Sequence, residues 1–146
     1  MESLKQNKKG LDMKDTIWLP ITEFLKNNQK LNMLSPLSNS QVFEVTEIAD
    51  DHIIIKLQES KGNLKIEKSR FISAFKMLEE KKGVWVALGA SRINTKPNTL
   101  EGRIKLDFNG KLNGLSTVSW IAAILVKVFN NIKFNYEIKG QALKML

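Results

Sequence analysis

The apolar positions of the chain change period several times, and each change marks an element. Ile17, Ile21, Phe24 and Leu25 recur at i, i+4, i+7 and i+8, the spacing of one helix face. Proline is tolerated in the first turn of a helix, so Pro20 predicts a short helix from about Pro20 to Lys30. Met33 to Ser40, with Ser35-Pro36 and Ser38-Asn39-Ser40, reads as a connecting loop. From Gln41 the period is two. Phe43 and Val45 alternate with Glu44 and Thr46, Asp50-Asp51 make a turn, and Ile53, Ile55 and Leu57 flank Ile54 and Lys56. This predicts a β-hairpin, and Ser60-Lys61-Gly62-Asn63 then leads to a third short strand, Leu64 to Ile66.

Phe71, Ala74, Phe75 and Leu78 return to helical spacing, with Ser69 as the expected cap and Gly83 as a left-handed stop. The apolar face of this helix is expected to cover the strand meander, which alone would leave one greasy side in water. Val84 to Leu88 reads as a strand, and Gly89 to Asn98 as a long polar loop, with Asn98 capping a short helix through Leu100 and Ile104. Beyond a second loop containing Gly110 and Gly114, Ser116 to Phe129 predicts a helix. Trp120, Ile124 and Val126 make it apolar nearly all round, so it is either central in the core or shared with a partner. A closing strand, Lys133 to Ile138, and a tail with Lys139 and Lys144 follow. The expected class is α+β: a small antiparallel sheet of about five strands packed with three to four helices. Residues 16–146 are expected to form one domain behind a flexible basic N-terminus, 1–15.

Composition narrows the chemistry. With 42% apolar residues in 146 positions the chain has enough material for a core. The absence of cysteine removes disulfides, thiolate zinc sites and cysteine nucleophiles, and fits a reducing compartment. His52 is the only histidine, so neither a multi-histidine metal site nor a Ser-His-Asp triad is expected; beside Asp50 and Asp51 it reads as a solvated turn residue. Met1 to Asp15 has the pattern of neither a secretory signal nor an anchor, and the greasy run Val118 to Val126 is too short to cross a bilayer, so a cytoplasmic setting without membrane contact is expected. No cofactor is called for: Gly83 and Gly89, or Gly110 and Gly114, lack the following lysine and hydroxyl of a phosphate loop.

The net charge of +8 is unevenly placed. Residues 84–146 hold nine basic side chains against three acids, whereas residues 31–83 balance eight against eight. A polyanion-facing surface requires such an excess. Its best local candidate is the loop from Gly89 to Lys105, where Ser91, Arg92, Asn94, Thr95, Lys96, Asn98, Thr99, Arg103 and Lys105 mix small hydrogen-bonding side chains with long cations. Lysine, serine and threonine grip phosphates, while arginine and asparagine reach base edges, so base reading is expected from Arg92 and from Asn94 or Asn98. Lys111, Lys133 and Lys139 extend the candidate surface. The group Lys61, Lys65, Lys68 and Arg70 is interleaved with Glu59 and Glu67 and reads as a solvated edge. Trp18, Trp85 and Trp120 each sit in an apolar run, which assigns them to the core rather than to base stacking.

Two other readings stand beside DNA binding. Five (Asp/Glu)-x-Lys triplets occur, close to what charge density alone produces; only Glu137 and Lys139, with Asp107 upstream, have the strand setting of a metal-dependent nuclease. Alternatively the helix 116–129 docks a catalytic partner or a second copy through Trp120 and Ile124.

The segment Gln41 to Leu78, with Phe-Glu-Val-Thr-Glu-Ile, Ile-Ile-Ile-Lys-Leu and Lys-Ile-Glu-Lys-Ser-Arg-Phe, together with Ser116-Thr-Val-Ser-Trp-Ile-Ala-Ala-Ile-Leu125, resembles a small module of prokaryotic restriction-type, DNA-associated proteins. The resemblance covers about half of the chain and implies a non-catalytic recognition or accessory domain whose catalytic partner lies elsewhere. The stretch Ser91 to Asn113 departs from the compact pattern.

Overall fold

A computed structural model describes residues 16–34, 42–57, 62–91, 93–135, 137 and 141–146. Helix α1 (residues 16–27) begins four positions before Pro20, because Ile17 and Trp18 belong to its buried face with Ile21 and Leu25. Burial of those two side chains outweighs the hydrogen bond that the proline removes. The chain then forms β1 (Lys30–Asn32), a strand where a loop was expected, and the hairpin β2 (Val42–Ile48) and β3 (His52–Leu57), followed by β4 (Asn63–Glu67). These pair antiparallel in the order β1-β2-β3-β4, with a bulge between Val45 and Glu47. One face buries Phe43, Val45, Ile53, Ile55 and Ile66, and α2 (Lys68–Glu80) adds Phe71, Ala74, Met77 and Leu78, with Phe71 against Trp18 at 5.6 Å between ring centroids.

Glu67 occupies the N-cap of α2 and Ser69 lies inside its first turn, so the expected serine cap is not made. Gly83 takes the left-handed φ of +86° expected of it. From there the order is β5 (Val86–Ala87), α3 (Leu100–Asn109), α4 (Val118–Val128), β6 (Ile132–Asn135) and β7 (Ala142–Met145). The last strand falls in the expected tail and is the centre of a second antiparallel sheet, β5-β7-β6. Fold class α+β stands, with seven strands in two sheets among the described residues in place of one sheet of about five. A single hydrophobic cluster runs from Ile17 to Met145, and α4 lies inside it: Val118 and Ile121 to Leu125 are buried, Phe129 meets Phe75 with the rings tilted and 5.0 Å between centroids, and β1 packs on the helix.

Candidate nucleic-acid interface

The polar loop after β5 is part of the scaffold. Lys105, expected to grip phosphate, is 2% exposed, and its Nζ donates 2.8 Å bonds to the Ser91 carbonyl and to Thr95 Oγ1. Thr95 Oγ1 in turn donates to the Ser91 carbonyl, and Ser91 Oγ accepts from the Asn94 N–H. Thr99, not Asn98, caps α3: its Oγ1 accepts from the Gly102 N–H at 3.1 Å and donates to the Lys96 carbonyl at 2.7 Å. A Cβ at Gly102 would lie 2.1 Å from that same carbonyl, so only glycine lets the loop close on the helix. Arg103 joins α3 to α2, with Nη1 and Nη2 on the Glu80 carboxylate at 2.8 and 3.0 Å and Nε on Asp107 at 2.8 Å. Those carboxylates hold its guanidinium well above the usual arginine value, and Arg103 in turn pulls the Glu80 carboxyl below its own.

Five of the expected contact residues, Ser91, Thr95, Thr99, Arg103 and Lys105, hydrogen-bond to groups of the protein itself. Asn94, Lys96 and Asn98 are exposed, with Lys96 Nζ 3.5 Å from Asn94 Oδ1. Lys111 and Lys133 are exposed as well, while Arg92 and Lys139 lie outside the described residues. Composition cannot separate these cases, because small polar residues serve an inward-tied loop and a ligand-facing one equally.

Of the three acids after residue 84, Glu101 is fully buried, where its Oε1 accepts from the Ser116 hydroxyl and, at 3.5 Å, from the Val118 N–H at the start of α4. Asp107 is tied to Arg103, which leaves Glu137 as the exposed acid without an ion pair among the described residues after position 84. Lys96, Lys111, Lys127 and Lys133 are exposed in the same half of the sequence.

The sheet β5-β7-β6 gathers part of this charge. Lys133 and Lys144 are directly opposed across β6 and β7, so both side chains leave the same face. Lys144 Nζ stands 4.7 Å from the centroid of the ring of Trp85, the residue before β5. The row Trp85–Lys144–Lys133 thus runs from the residue before β5 across β7 to β6 as one half-buried aromatic and two cations. Two like charges opposed in a ladder are destabilising, an arrangement that a protein keeps where the charge is wanted. Neither Trp85 nor Lys144 belonged to the expected surface. The signal was their register, which needed the strand that the tail reading omitted.

The alternative sites fare differently. Ile124 is fully buried and therefore not available to a partner, while Trp120 is half-buried. Asp107 is tied to Arg103 and Glu137 lies beyond the end of β6, its N–H donating to Asn135 Oδ1; no group of three His, Asp or Glu side chains suited to a metal occurs among the described residues. His52, the first residue of β3, is partly exposed and paired: its Nδ1 and Nε2 lie 2.8 Å from Asp51 Oδ1 and Glu47 Oε2. No described helix is long and apolar enough to cross a membrane. No family model, curated protein or solved structure matches the chain.

Proposed function

We propose that the chain is a non-catalytic DNA-binding domain, the recognition or accessory part of a restriction-type system, that meets the phosphate backbone with the outer face of its C-terminal sheet. The observation that carries this reading is the opposed pair Lys133 and Lys144 beside Trp85, in a segment where one of the three acids is buried and a second is tied to arginine. Element order supports it. Helix α2, strand β5, helices α3 and α4 and the hairpin β6–β7, with β7 central, follow the order of a winged helix-turn-helix. Order is an analogy of fold, and the eight residues from Gly110 to Thr117 make a longer link between α3 and α4 than the usual short turn. Because α4 is enclosed by core on most of its circumference, the groove-reading role falls to the sheet and to exposed Lys96, Asn94 and Asn98. The partial resemblance to restriction-type modules points the same way.

The test replaces Lys133 and Lys144 by alanine and follows a labelled duplex by fluorescence anisotropy over a range of salt. Each lysine that neutralises a phosphate contributes about one unit to the salt slope, so the double variant should lose roughly two. Thermal stability should hold or rise, because a like-charge pair has gone. Unchanged affinity and slope in a folded double variant would contradict the assignment of this face.

A further inference from the structure

We infer that a small cavity between the start of α2, the end of α3 and the following loop is a binding site for a phosphate-sized oxyanion. Its volume is about 120 Å³, and it is lined by Arg70, Lys105, Phe108, Asn109, Asn113 and Gly114, with Leu115 at its edge. At ~30 Å³ per water this is room for roughly four waters, enough for a tetrahedral oxyanion and too little for a nucleoside.

Arg70 is the cation. It is 9% exposed, its guanidinium carbon rests 3.9 Å from the centroid of the Phe108 ring, and its Nε donates to Glu67 Oε1 at 2.7 Å. The ring contact and that one bond hold the guanidinium in place, while Nη1 and Nη2 have no hydrogen-bond partner among the described residues. Oriented donors of this kind match the oxygens of a phosphoryl group in pairs. Glu67 sits at the Nε edge and does not line the cavity. Asn109 Oδ1 accepts from the Lys111 N–H, which leaves its amide NH₂ as the group free to donate, and the exposed Asn113 supplies a second amide. Lys105 contributes its stem, since its Nζ is held by Ser91 and Thr95, so one wall is rigid. No carboxylate lines the cavity.

This inference does not depend on DNA binding. A nucleic-acid phosphate and a free phosphate present the same group, and the test separates them. Inorganic phosphate is titrated into the full chain while the side-chain signals of Arg70 Nε and of Asn109 and Asn113 are followed by NMR. Saturable shifts confined to these groups are expected, weakened about fivefold or more in Asn113→Ala and abolished in Arg70→Gln. Asn113 is exposed, so its variant keeps the test valid if Arg70→Gln fails to fold. Competition then identifies the source. Displacement of phosphate by a 5′-phosphorylated but not a 5′-hydroxyl oligonucleotide supports a site for a nucleic-acid end, and displacement by both supports a backbone site. Displacement by neither supports a site for the free ion. No shift with phosphate, or shifts indifferent to both variants, overturns the inference.

Discussion

The ammonium of Lys105 holds two acceptors of the 91–95 loop with no carboxylate within ion-pair reach among the described residues. A buried cation is tolerable only where hydrogen bonds replace its water. Lys105→Met keeps the stem and removes the donors, leaving the Ser91 carbonyl and Thr95 Oγ1 with one partner fewer. It should cost about 2 kcal/mol or more, read as a lower denaturant midpoint at unchanged m value. Equal midpoints would mean that the loop is not anchored by this residue. Had Lys105 faced DNA instead, the same substitution would change binding and leave stability alone. Glu101 makes the matching point for acids: a carboxylate within the basic stretch turns inward and serves the first turn of α4.

The hairpin β2–β3 carries the one histidine between two carboxylates. The hydrogen bond to Asp51, then that to Glu47, raises the His52 pKa above its ordinary 6.5, and the same contact lowers that of Asp51. A raised folded-state pKa stabilises the fold fully below the unfolded value and is lost as pH rises through the folded one. Between about pH 6 and pH 8 the parent should therefore lose stability as pH rises, and His52→Gln should flatten that dependence. Identical pH profiles from thermal melts would contradict the pairing. At this scale the elements that were legible are those with long periodic runs: the hairpin, α2 and α4. Strands β1 and β7 have three and four residues, too few for a period to show, and they form through pairing with other strands. The same shortness hid the candidate site. Lys133 was expected from its charge, but its meeting with Lys144 and Trp85 exists only once β7 is paired on both sides.

Across the whole molecule, core and charge are segregated. The N-terminal sheet and α2 contain as many acids as bases between residues 31 and 83, while the C-terminal unit keeps its excess of nine over three and removes two of its acids from effective competition, one by burial and one by pairing with Arg103. Such a surface should attract any polyanion over a Debye length of about 10 Å at moderate salt, and base contacts would add discrimination at short range. The most direct measurement is the affinity of the parent protein for a labelled random duplex and for its single strand, from low to physiological salt. The account predicts duplex binding whose log affinity falls linearly with log salt, at a slope equivalent to several phosphates. Absence of binding at low salt, or affinity indifferent to salt, would contradict it and leave the cationic face without its proposed partner.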